Sequence, residues 1–187
     1  MVSGWFTMIL AGLIFAGDAA EGQSTAFPSY GSGPIEVRIY SDYFCPPCRA
    51  MKPTVDPILK DLLKKNLIRL TLVDTPFNPH TPLFSRYFLS ALQENNDVDH
   101  VFRVRNILFE ASTNKSITTK ERIEGLFKEK DIPYATFDAK STFKRFNVLF
   151  KEDKIKETPT CVIIIGGEKK KFTKGPDIVN ALKSLHE

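Results

Sequence analysis

Apolar positions along this chain follow two different periods, and their order outlines a fold. Ile35, Val37 and Ile39 alternate with Glu36 and Arg38, the period of a strand with one polar face. A helical stretch opens near residue 45. It contains Pro53 and Pro57, which are expected to kink or break it once before residues 58–63 resume. Alternation returns over residues 67–73 and ends in the turn-rich 74–79. Strand, helix, strand in this order is a βαβ unit.

The period then changes for about seventy residues. Thr81 and Pro82 suit a helix start, and Leu83, Phe84, Tyr87, Phe88, Ala91 and Leu92 follow at helical spacing. Val101, Val104, Leu108 and Ala111 form a second stripe. Thr118 and Glu121 are spaced as a capping box ahead of Ile123, Leu126 and Phe127, and Phe143, Phe146 and Phe150 mark a further helix. These aromatics read as core. Residues 160–165 are then almost all apolar and β-branched, as in a strand buried on both faces. Gly166-Gly167 turns the chain into residues 168–173, whose lysines suit an edge strand, and Gly175-Pro176 opens a last helix carrying Ile178, Leu182 and Leu185.

Ahead of this pattern, residues 5–16 are apolar, with small residues at Gly17 and Ala19 that suit cleavage after Ala19. The run is too short to span a bilayer comfortably, and no lysine or arginine precedes it. Residues 1–20 therefore read as a signal peptide, with an uncleaved anchor or a misassigned start as alternatives. Residues 21–33, rich in Gly, Ser and Pro, read as a flexible leader. The 187 residues suffice for one compact domain, and fifteen phenylalanines supply bulk for its core. A net charge of +4, with lysines spread along the chain, reads as solvated faces and no nucleic-acid footprint. Three cysteines are too few for a disulfide scaffold.

The chemistry concentrates in Cys45-Pro46-Pro47-Cys48, at the junction of the first strand and the helix. A cysteine at a helix N-terminus meets free amides and the positive end of the macrodipole, which favour thiolate. A second thiol two residues on lets that thiolate open or close disulfides in other proteins. C-x-x-C is also a zinc spacing, but a four-ligand site needs two more ligands. One other cysteine exists, Cys161, and His80, His100 and His186 lie in no ligand-like pairing. Prolines at 46 and 47 lack N–H groups, so the Cys48 amide is left as the main donor to the Cys45 sulfur. Asp42 opposes ionisation and Arg49 favours it. Cys45 should therefore be less acidic than in strong oxidants with a histidine between the cysteines, and the couple should be more reducing than the strong-oxidant benchmark near about −120 mV.

The redox motif after a strand, Thr158-Pro159-Thr160 before an apolar strand, the glycine turn, the edge strand and the last helix together resemble the thioredoxin fold. Pro53 falls where thioredoxins carry a helix-kinking proline. Cys45 and Pro159 stand 114 positions apart with a helical block between them. That layout, with residues 41–45 (Ser-Asp-Tyr-Phe-Cys) and 155–160 (Ile-Lys-Glu-Thr-Pro-Thr), resembles the DsbA-like thiol:disulfide oxidoreductases. The expected class is α/β: a thioredoxin fold whose βαβ half (34–78) and ββα half (154–187) are separated by a helical insertion (79–153).

The resemblance implies that Cys45 is the nucleophile forming a mixed disulfide and Cys48 the buried resolving thiol. It implies a cis Pro159 facing the cysteines, and a Thr158 backbone that pairs with an extended substrate segment. Pro46 and Pro47 would modulate the pair, and Cys161 would pack inertly in the sheet. It further implies cysteine-containing protein clients, a membrane or soluble redox partner that recycles the dithiol, no cofactor, no metal, an exported or periplasmic location and a monomer. Two departures stand out. Ile39 occupies the position where many relatives carry a buried acid, and Glu157 replaces a common glycine. A non-catalytic chaperone or adaptor module, and a copper or zinc carrier using Cys45, Cys48 and Cys161, are the competing readings.

Overall fold

A computed structural model describes Met1 and residues 26–136 and 138–186. The expected signal peptide lies outside the described residues apart from Met1. Five strands form one mixed sheet: β1 (Ser29–Tyr30), β2 (Ile35–Ser41), β3 (Ile68–Asp74), β4 (Thr160–Ile165) and β5 (Glu168–Phe172), in the order β1-β3-β2-β4-β5. β2 and β3 run parallel, joined by helix α1 (Pro46–Lys64), while β4 pairs antiparallel with β2 and β5 with β4. Between β3 and β4 stand α2 (Thr81–Glu94), α3 (Val98–Ala111), α4 (Lys120–Glu129) and α5 (Lys140–Glu152), and α6 (Gly175–Lys183) packs on α1. This is the expected thioredoxin-type fold with a helical insertion.

The central strands are buried because both sheet faces are covered: Val37, Tyr40, Leu70, Val73, Cys161 and Val162 are all fully shielded. β5 has only one neighbour. Its lysines lie on the exposed edge, and Lys169 reaches back to Glu152 at 3.0 Å. The β4–β5 hairpin turns on Gly166 and Gly167, both at positive φ (57° and 89°), a conformation L side chains rarely adopt.

Three local expectations change. The leader is structured before its expected end: Ser29 and Tyr30 add an antiparallel edge strand to β3, and Ala26 and Tyr30 are buried. Gly33 fits only without a side chain, since a Cβ there would lie 2.3 Å from the Leu67 and Ile68 backbone. Secondly, α1 continues unbroken through Pro53 and Pro57. Four residues apart, they share an exposed face, so the carbonyls they leave unpaired turn away from the core. Thirdly, α4 begins at Lys120 with Thr119 as its cap residue, one position beyond the expected Thr118.

The insertion is tied to the sheet by a buried ion pair. Arg105 of α3 donates from Nη1 to Asp74 Oδ1 at 2.7 Å and from Nη2 to Ser41 Oγ at 2.6 Å, at the ends of β3 and β2. The Tyr43 hydroxyl completes the carboxylate at 3.0 Å from Oδ2. Arg105 and Asp74 are 3% and 5% exposed, so removing either charge strands the other in a low-dielectric interior. Arg105→Met is expected to lower unfolding stability by about 3–5 kcal/mol, with the Arg105→Met/Asp74→Asn pair recovering part of that loss. Urea unfolding of the three proteins measures both, and a single-variant loss below about 1 kcal/mol would refute the assignment.

Candidate active site

Cys45 follows a tight turn at the C-terminal end of β2, where Cys45 N–H donates to the Asp42 carbonyl at 3.1 Å. Asp42 is itself buried; its Oδ1 accepts from the Phe44 amide at 2.7 Å and its Oδ2 from the Asn78 amide at 2.8 Å. One carboxylate thus clamps the active-site turn to the loop after β3. Cys45 is the N-cap of α1: extended at φ −83° and ψ 111°, it accepts at its carbonyl from Arg49 N–H at 3.2 Å. Pro46 and Pro47 are exposed in the first turn and offer no amide, so the Cys48 amide is the first helical N–H able to reach the sulfur, at 3.2 Å.

Register brings the distant loop into contact. Tyr40 pairs with Thr160 in the β2–β4 ladder, which leaves Thr158 and Pro159 beside the residues that follow β2. The Thr158–Pro159 bond is cis, Pro159 is buried, and the Cys45 thiol donates to the Thr158 carbonyl at 3.2 Å. Thr160 Oγ1 braces the loop through the Glu157 carbonyl at 2.8 Å. Cys45, Cys48, Thr158 and Pro159 therefore form one constellation across 114 positions of sequence.

Burial separates the two thiols. Cys45 is half-buried and Cys48 fully enclosed. The Cys45 thiol is lowered to about 6, chiefly because the Cys48 thiol bonds its sulfur, with Thr158 and the Cys48 amide adding to this against the cost of burial. Asp42 opposes it, as expected; Arg49 is not among the larger influences, so the acidity comes from hydrogen bonds. Burial pushes the Cys48 thiol well up, and the bond to Cys45 adds to this. Cys161 is fully buried in β4, paired in register with Ile39, and burial raises its thiol too. Among the described residues no metal-ligating cluster gathers the three cysteines.

Other charges near the site carry no sequence signature. Lys52, one turn beyond Cys48 on α1, is buried, pairs with Asp56 at 2.8 Å and lies 4.9 Å from the Phe109 ring. Burial lowers its ammonium to about 8, against the pull of Asp56. Arg105 lies 5.6 Å from the same ring, so two cations bracket one aromatic between α1 and the insertion.

A family model described as Thioredoxin matches residues 32–182, spanning both halves of the sheet and the insertion. The chain belongs to the thioredoxin family. A search of curated protein sequences gives no match. Among solved structures, the fold resembles a periplasmic thioredoxin-like protein from Salmonella enterica serovar Typhimurium (TM-score 0.62, 20% identity, 87% of this chain and 92% of that one). It also resembles BdbD from Bacillus subtilis (0.60, 21%, 86% and 91%) and alpha-DsbA1 from Wolbachia pipientis (0.64, 11%, 86% and 90%).

The thiolate is the reactive form, and its pKa is lowered, so reactivity should be full above about pH 7 and fall about tenfold per unit well below pH 6. Iodoacetamide labelling of the reduced protein should therefore show a single fast site with a midpoint near about 6, lost in Cys45→Ala, with Cys161 unlabelled until unfolding. A midpoint above about 8, the free-thiol range, would contradict this site.

Proposed function

We propose that this protein is an exported thiol:disulfide oxidoreductase acting on cysteines of protein clients. The supporting observation is a half-buried, acidic sulfur at a helix start, held between the Cys48 amide and the Thr158 carbonyl. In the reducing direction the Cys45 thiolate attacks a client disulfide. The Cys45–client bond forms as the client S–S bond breaks, and the departing client sulfur takes a proton. Cys48, once deprotonated, attacks the Cys45 sulfur, giving the Cys45–Cys48 disulfide and a client dithiol. Two electrons have passed to the client, and a dithiol redox partner supplies two electrons and two protons to the Cys45–Cys48 disulfide to restore the dithiol, itself becoming a disulfide. Oxidation of a client dithiol is the same path reversed.

The Thr158–Pro159 loop lies where an extended client segment can pair with backbone groups beside Cys45, a mode that needs no particular client side chain. Export is supported by the apolar residues 5–16 and by the periplasmic Salmonella neighbour. No helix among the described residues is long and apolar enough to cross a membrane. Burial and the bond to Cys45 keep the Cys48 thiol protonated, a brake on the second attack of which the mixed disulfide removes only the Cys45 share.

Cys48→Ala should trap the Cys45–client mixed disulfide, and Cys45→Ala should lose at least a hundredfold in insulin reduction. Equal activity of Cys45→Ala and wild type would overturn the reading in favour of a non-catalytic module. An acidity between those of thioredoxin (about 7) and DsbA (about 3.5) places the expected reduction potential between about −270 and −120 mV. Equilibration with glutathione buffers measures it, and a value at or above about −120 mV would refute the proline argument.

A further inference from the structure

One departure from the family pattern stands beside the reacting sulfur and has no part in the exchange chemistry. Glu157 takes a position where glycine is common in the resembled family, directly before Thr158 and Pro159. The Thr158 carbonyl lies 3.2 Å from the Cys45 sulfur. Thr160 Oγ1 donates to the Glu157 carbonyl at 2.8 Å, so the loop backbone is braced at this residue. The Glu157 side chain is exposed, and its carboxylate forms no ion pair among the described residues.

Covalent geometry brings a client within reach of that charge. The Glu157–Thr158 bond is trans, which sets their Cα atoms about 3.8 Å apart. When Cys45 is joined to a client cysteine, the two Cα atoms stand about 5.5–6 Å apart. Residues flanking the client cysteine therefore pass beside the loop, within a side chain's length of the Glu157 carboxylate. Other charges on the same segments are placed less directly. Asp42 is buried, and both its oxygens accept amides. Arg49 lines the groove between α1 and α3, and the exposed Lys156 is one residue farther from the Thr158 carbonyl. A glycine offers a client only backbone; a glutamate adds discrimination by charge.

We propose that Glu157 selects client cysteines flanked by lysine or arginine, a specificity that rests on the proposed exchange activity. It runs against the field of the whole molecule. A net charge of +4 draws acidic clients from a distance, so a preference for basic ones needs an acid close to the reacting sulfur. An exposed ion pair of this kind changes kcat/KM by about twofold to fivefold at low salt, and by less as salt screens it.

The test uses short peptides, each linked to a second copy through one disulfide, with Lys or Glu on both sides of the cysteine. A flanking lysine also acidifies the client thiol and makes it a better leaving group, whatever the enzyme. The decisive quantity is therefore the change in the Lys-to-Glu ratio of kcat/KM between wild type and variant. At low ionic strength Glu157→Gln should lower that ratio by about threefold or more, and Glu157→Lys should lower it further. In about 0.5 M salt the three proteins should converge. A ratio that neither variant changes would overturn the specificity while leaving the exchange activity in place. A ratio lowered equally at low and high salt would overturn it too, because a reshaped loop, unlike a lost charge, is indifferent to screening. Failure of every peptide to react with the wild-type protein would overturn the exchange activity, and the specificity with it.

Discussion

The pairing of β2 with β4 is the constraint on which the site depends. These strands come from opposite ends of the fold, and their antiparallel register is fixed by apolar residues on both: Val37 against Ile163, Ile39 against Cys161. A slip of one residue would turn each buried set toward the wrong face, so the sheet core enforces the alignment. That alignment places Thr158 over the end of β2, within hydrogen-bond reach of a sulfur 113 residues away. No contact local to the CPPC turn could do this. The long insertion is tolerated because loop-closure entropy grows only slowly with length.

The same junction offsets what the prolines remove. A helix start normally offers several free amides to an anion, and here two of the first three positions have none. Judged by the amides alone, the Cys45 thiolate would be poorly held. The Cys48 thiol and Thr158 supply the remaining stabilisation, and Thr158 comes from the opposite half of the sheet. The acidity of the Cys45 sulfur is thus partly a property of tertiary structure. A change in the Pro159 loop would act on the acidity of the Cys45 sulfur as well as on the proposed client contact.

Most of the sheet was legible because its signal is periodic: alternation at Ile35, Val37 and Ile39, and the unbroken apolar run of β4, follow from burial on one or two faces. The pair Cys45 and Cys48 was legible from spacing, and the importance of Thr158 and Pro159 only through family resemblance, since nothing in local chemistry connects residue 158 to residue 45. The Ser29–Tyr30 strand was illegible. Two residues cannot display a period, and the flanking glycine and proline signal a loop. The unbroken α1 shows that proline rules concern carbonyls left without partners, which cost little on a solvated face. Asp74 and Arg105 had no pattern to betray them. A buried ion pair between residues 31 positions apart looks, in sequence, like two surface charges.

Those charges explain how the insertion bears on the Cys45 turn. Arg105 bonds Ser41, the residue before Asp42, and Ser112 at the end of α3 donates to the Tyr43 carbonyl at 2.6 Å. The turn leading into Cys45 is therefore held from the insertion side, while Thr158 meets the cysteine from the sheet side. Apolar side chains of similar volume would fill the same space with less desolvation cost. They would not supply donors directed at Asp74 and Ser41. The value of the buried pair lies in direction: it fixes where the β2 strand ends and the turn begins, and that position decides whether the sulfur meets both the Cys48 amide and the Thr158 carbonyl. A sulfur placed within 3.2 Å of both the Cys48 amide and the Thr158 carbonyl tolerates little drift in its backbone, which gives an otherwise costly buried arginine a physical purpose.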